Sequence, residues 1–165
     1  DAADAASSYA ASVAAVHQVV EALQRDAGLP PSRILVGGFS QGAALALEST
    51  LLYPQRLAGC IALSGWLTRK ARGALAQEGL LRGLPCLICH GTRDDMVGFD
   101  CGEAAHTAAR EAGLAVEFHR LQGVEHSSCL EELQAVARFV HAVLAADSKS
   151  PPPRVPQWGR SGALT

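Results

Sequence analysis

The sequence predicts an α/β fold: a doubly wound parallel sheet with helices on both faces. Short apolar runs recur near residues 34–39, 57–63, 85–90 and 116–121, and the segments between them carry helical spacing. Each run is nearly continuous in its apolarity, which suits a strand covered on both faces rather than one facing water. Strands alternating with helices imply right-handed crossovers between parallel neighbours.

The elements follow in order. Tyr9, Val13, Val16, Val20 and Leu23 recur at steps of four, three, four and three, an amphipathic helix that stops near Gly28. The prolines of "GLPPSR" break the chain. Ile34 to Phe39 then reads as a strand, Ala43 to Leu52 as a helix, and Leu57 to Leu63 as a second strand. Leu67 to Leu81 is expected to be loop with some helix, and Pro85 to His90 a third strand. Residues 101–112 form a helix closed by Gly113, and Val116 to Leu121 a fourth strand. Ser128 and Glu131 have the spacing of a capping box, followed by Leu130, Leu133, Val136, Val140 and Val143 on one helical face.

At 165 residues the chain is long enough for one domain with a substantial core. That domain is expected over residues 1–146, with the proline-rich "DSKSPPPRVPQWGRSGALT" at 147–165 as a disordered tail or, alternatively, a ligand for another domain. Its apolar runs are far shorter than the ~20 residues of a membrane span. A net charge of −2 with no basic stripe gives no footing for nucleic acid, so partners should be small molecules or proteins. Five cysteines, odd in number and mostly inside apolar runs, read as reduced thiols of a cytoplasmic protein. Cys86 and Cys89 spell C-x-x-C, which could mean redox or zinc chemistry, but on a strand they point to opposite faces and read as structural. The lone methionine is Met96 and the chain opens on "DAADAASSYAAS", so it is expected to begin part-way through a longer polypeptide or after processing.

Sites in such sheets form at the carboxyl ends of strands. Ser40 follows the first strand, Ser64, Gly65 and Trp66 the second, Asp94 and Asp95 the third, and His126 the fourth. Serine, aspartate, histidine is the chain order of α/β-hydrolases. A serine hydroxyl needs a base within reach; histidine can take and return the proton, and a carboxylate holds its tautomer. In "GGFSQGA" the turn would expose Ser40, with Gly38 and Gly42 giving it room, and the Gln41 N–H would be an oxyanion-hole donor. The competing role for Ser40 is a helix N-cap. His17, His106, His119 and His141 fall on predicted helices or strands, and His90 should shape its loop. Only His126 stands in a loop before a capped helix; Asp94 and Asp95 are not separable by this reasoning.

These motifs, "GGFSQGAALAL", "LAGCIALSGWL", "CHGTRDDMV" and "GVEHSSCLEEL", resemble those of the acyl-protein thioesterases and related small carboxylesterases, over roughly residues 1–145. The resemblance implies the nucleophile at Ser40, the base at His126 and the acid at Asp94, with no cofactor or metal. It further implies removal of fatty acyl groups from protein cysteines, or hydrolysis of lysolipids and simple esters. Asp95 and Gly98 stand where family members tend to have proline. Strands and a His-Gly loop that family members carry ahead of the first helix, with a second oxyanion donor, are not in this sequence. The expectation is therefore an N-terminally incomplete serine hydrolase acting on S-acylated proteins or ester substrates. A catalytically silent interaction module is the alternative.

Overall fold

The computed structural model describes residues 2–77, 79 and 81–146, with side chains from residue 8 onward. The expected tail at 147–165 lies outside the described residues. Helix α1 (Ala2–Ala27) and a 3-10 turn (Pro31–Arg33) lead into β1 (Leu35–Phe39), α2 (Gln41–Leu52) and β2 (Gly59–Leu63). There follow α3 (Arg69–Leu75), β3 (Pro85–Gly91), α4 (Phe99–Glu111), β4 (Ala115–Leu121) and α5 (Leu130–Ala146). The four strands are parallel and lie in chain order, with Phe39 opposite Leu63, Leu63 opposite Cys89 and Gly91 opposite Leu121.

Two cores sandwich the sheet, so helices do cover both faces. Ala43, Leu47 and Leu51 of α2, Ala71 and Leu75 of α3, and Ala105 and Ala109 of α4 pack on Cys60, Cys86 and Ile88. On the other face Ala135 and Phe139 of α5 pack on Ile61, Leu87, Cys89 and Leu121. Cys86 and Cys89 thus belong to opposite cores, as strand alternation requires, and all five cysteines are free thiols. Burial pushes the Cys89 thiol up to about 12, leaving it an unreactive protonated packing group. Helix α1 lays Val20 on Ile34, Tyr53 and Leu57 as a third, smaller cluster. His17 Nε2–H donates to Ser49 O (2.8 Å), a satisfied packing contact.

Two local expectations are corrected. Helix α5 opens at Leu130, one residue past the start that a Ser128 cap implies, and its buried stripe is Glu132, Ala135 and Phe139. Val136, Val140 and Val143 do pack against that core, but Leu130 and Leu133 are 71% and 56% exposed. The stripe is rotated because Glu132, fully buried, occupies the place that an apolar count gives to Leu133. Gly113, at φ +84°, does end α4 as its position suggests. Among the described residues no helix is long and apolar enough to cross a membrane.

Candidate active site

The sharp turn after β1 is forced by close backbone packing. Ser40 adopts φ 57° and ψ −122°, unusual for a residue with a side chain, and its hydroxyl makes no capping bond to α2. The sheet ladder holds it there: Ser40 N–H donates to Leu63 O (2.8 Å), while its carbonyl accepts from Ala43 N–H (3.0 Å). Gly38 is obligatory at this turn, because a Cβ there would stand 2.2 Å from Gly42 O. Gly42 is not required in the same way: a Cβ at its position would meet nothing within 4 Å, so the room attributed to it is supplied by Gly38 alone.

The segment after β2, whose role the sequence left open, buttresses the turn. Ser64 repeats the positive φ (49°), with its N–H on Cys89 O at 2.9 Å. A Cβ at Gly65 would stand 2.5 Å from Ala43 Cβ and 3.1 Å from Ser40 O. The small pair Ser64–Gly65 at a strand's carboxyl end was the available signal for this contact.

Two further loops converge on Ser40. Gly91 lets the β4–α5 loop approach, since a Cβ there would be 2.3 Å from Val124 O. Thr92 N–H reaches Leu121 O (2.9 Å), Arg93 N–H reaches Val124 O (3.0 Å), and Gly123 N–H reaches Thr92 Oγ1 (2.9 Å). These bonds lock the loop bearing Asp94 to the loop bearing His126.

His126 Nε2 lies 2.9 Å from Ser40 Oγ and its Nδ1 2.7 Å from Asp94 Oδ2. An ionised carboxylate can only accept, so the proton sits on Nδ1 and the Nε2 lone pair accepts the Ser40 hydroxyl. Phe39 supports the imidazole, ring centroids 4.8 Å apart. Asp94 is 6% exposed, and its Oδ1 accepts the N–H groups of Met96 (3.1 Å) and Val97 (2.8 Å). Burial pushes its carboxyl up, but the His126 hydrogen bond and those two N–H groups outweigh it, holding the pKa below the ordinary 3.8. Asp95, the neighbouring candidate, is exposed.

His90 lies beneath this loop, fully buried. Its Nε2–H donates to Val97 O (2.9 Å) and stands 3.5 Å from Asp94 Oδ2, so it shapes the loop that presents Asp94. Gly102 makes room for the ring, since a Cβ there would be 2.5 Å from its Nδ1. The remaining histidines stand elsewhere: His119 pairs with Glu117 (2.6 Å) and His106 stacks on Phe118. Gln41 opens α2 directly after Ser40, so its N–H has no carbonyl partner within the helix. Among the described residues, no group of three or more His, Cys, Asp or Glu could hold a metal ion.

Such an arrangement can take a proton from a hydroxyl, hold the resulting positive charge against a carboxylate, and return the proton to a leaving group. Comparison with known proteins gives a concordant family. The family described as Phospholipase/Carboxylesterase matches residues 1–144. Acyl-protein thioesterase 1 of Neurospora crassa is 38% identical over 117 residues, covering 70% of this chain and 48% of that protein. Carboxylesterase SOBER1 of Arabidopsis thaliana is 35% identical over 146 residues, covering 87% of this chain and 63% of that one. The crystal structure of Arabidopsis thaliana SOBER1 superposes with a TM-score of 0.73 at 36% identity, covering 84% of this chain and 65% of that chain. This chain therefore spans about half to two-thirds the length of these relatives.

Proposed function

The chain belongs to the phospholipase/carboxylesterase family, an α/β-hydrolase fold, and from that premise we propose that it is a serine hydrolase of ester and thioester bonds. The observation that carries this reading is the unbroken Asp94–His126–Ser40 hydrogen-bonded chain, at 2.7 and 2.9 Å. The substrate class is fatty acyl groups on protein cysteines, since a relative 38% identical to this chain is an acyl-protein thioesterase.

In this reading His126 Nε2 takes the Ser40 proton as Oγ attacks the acyl carbonyl. The Gln41 N–H donates to the oxyanion that forms. When the carbon–sulfur bond breaks, the imidazolium gives its proton to the departing thiolate, and an acyl ester remains on Ser40. Water attacks that ester, its proton passing to His126 and on to Ser40 Oγ, and the fatty acid is released. Asp94 holds the imidazole tautomer throughout and stabilises its charged form. Every step uses this chain's own groups, with neither cofactor nor metal. Carboxylesters, including lysolipids, fit the same chemistry, and relatives such as the Arabidopsis carboxylesterase favour that second reading. Free cysteines throughout support residence in the cytoplasm.

A fluorophosphonate probe tests the assignment directly. The 165-residue chain should be labelled at one site, and Ser40→Ala should abolish labelling while the fold is retained. Equal labelling of the variant would remove Ser40 as nucleophile, and a folded but unlabelled parent chain would favour the interaction-module alternative.

A further inference from the structure

The turn that aligns Asp94 has little of its own to hold it. Asp95-Met96-Val97-Gly98 contains no proline to preset its backbone and ends on a glycine. Asp95, Met96 and Gly98 are exposed, so packing contributes little there either. Val97 joins the turn to the interior: its N–H donates to Asp94 Oδ1 (2.8 Å), and its carbonyl accepts His90 Nε2–H (2.9 Å). Histidine is an unfavourable residue for the interior end of that link. Its side chain is wholly buried, and Nδ1 has no partner among the described residues. An unpaired buried nitrogen destabilises, whereas an apolar side chain of similar size would fill the space without that loss. The space is nonetheless cut to the ring: a Cβ at Gly102 would stand 2.5 Å from Nδ1, and the Phe99 ring meets it edge-on with centroids 6.0 Å apart. What the ring supplies is therefore its other nitrogen. Nε2 stands 3.5 Å from Asp94 Oδ2, too far for a second full hydrogen bond, so its hold on the carboxylate runs through Val97.

We infer that His90 is a positioning residue of the hydrolytic site: by holding Val97 O it fixes both oxygens of Asp94, Oδ1 on the turn and Oδ2 on His126 Nδ1. The inference rests on the serine-hydrolase reading of Asp94, His126 and Ser40, and adds to it a member that touches no reacting atom. His90 holds Val97, Val97 holds Asp94, Asp94 holds His126, and His126 faces Ser40. A rotation at Val97 breaks its two bonds together, so loss of the His90 donor is felt at the far end of the chain as a misaligned base. Such a role needs an N–H at the place of Nε2 and not the imidazole as such, so an amide of similar reach can stand in for it.

Two substitutions in the full chain test this. His90→Leu removes the donor and keeps an apolar side chain, and His90→Gln returns an N–H. On a nitrophenyl ester His90→Leu should lower kcat by roughly 10²-fold with KM within about twofold, the scale of a catalytic group displaced by about 1 Å. His90→Gln should regain about tenfold of that loss. In an Asp94→Asn background His90→Leu should cost less than about twofold more, because the carboxylate it acts through is already gone. Equal losses in both backgrounds, a His90→Gln no better than His90→Leu, or a loss carried by KM would overturn the role.

Proton NMR supplies a readout independent of turnover. The His126 Nδ1–H bonded to Asp94 should give a resolved low-field resonance in the parent, lost in His90→Leu and present in His90→Gln. A resonance unchanged in His90→Leu would overturn the role. If His90→Leu fails to fold, isotope-labelled histidine in the parent decides: His90 should carry its proton on Nε2 with Nδ1 bare, and a proton on Nδ1 alone would remove the donor the role requires. A folded chain that hydrolyses no ester yet shows this pattern of resonances would overturn the hydrolase reading and leave the positioning of Asp94 by His90 intact.

Discussion

Asp94 Oδ2 lies 2.7 Å from His126 Nδ1, while Asp95, its neighbour in the chain, turns to solvent. Two adjacent carboxylates are thereby given different work by the direction of a turn. Asp94 is also the one whose second oxygen is filled by the Met96 and Val97 N–H groups.

Exchanging each aspartate for asparagine separates them in function. Asp94→Asn should lower kcat on a nitrophenyl ester by roughly 10⁴, because an amide can no longer enforce the Nδ1–H tautomer. Asp95→Asn should leave kcat within about twofold, as expected of an exposed position away from such contacts. Steady-state kinetics of the two variants check this, and comparable losses in both would assign the acid wrongly.

Stability at acid pH should carry the Asp94 signature. Its folded pKa lies below the ordinary 3.8, so in acid the unfolded chain binds the proton first. The stabilisation is complete above about 3.8 and is lost as pH falls through the lowered folded value. Urea midpoints measured from pH 6 downwards should fall less steeply below pH 4 for Asp94→Asn than for the parent. Parallel acid limbs would show that the carboxylate is not held down in the folded state.

The two glycines that flank Ser40 should respond in opposite ways. Gly38→Ala drives a Cβ to 2.2 Å from Gly42 O and should cost about 1–3 kcal/mol, with loss of activity as the turn shifts. Gly42→Ala meets open space within a helix and should be neutral or raise stability by about 0.5–1 kcal/mol. Denaturant titration distinguishes them; equal destabilisation would mean that Gly42 is packed in a way its geometry does not suggest.

On α5, Phe139→Ala should cost about 3–5 kcal/mol, since the ring fills the core against Leu87 and Cys89. Leu133→Ser, on a side chain 56% exposed, should stay within about 0.5 kcal/mol. Thermal unfolding of the pair is the measurement, and a large loss at Leu133 would restore the stripe inferred from hydrophobic spacing.

That contrast shows where the sequence was legible. Continuous apolar runs such as "LICH" read as strands covered on both faces, so the four strands and the loops that follow their carboxyl ends were legible from pattern, while their order in the sheet was not. Helix α5 was harder, because hydrophobic spacing assigns Leu133 inward and has no means of burying Glu132. Physical reasoning on the residues left Asp94 and Asp95 open and only the family resemblance pointed to Asp94, because the turn that separates them depends on Gly91 admitting the backbone of Val124.

The bond from Ser40 N–H to Leu63 O extends the β1–β2 ladder one step beyond its last strand pair, Phe39 with Leu63. The height of the hydroxyl above the sheet is therefore indexed by strand register. A slip of β1 by a single residue would bring Phe39 or Gln41 to that rung and turn its side chain to the opposite face. A misaligned sheet could still be compact, yet it would present no hydroxyl to His126. Correct assembly and chemical competence are thus read out by the same hydrogen bond.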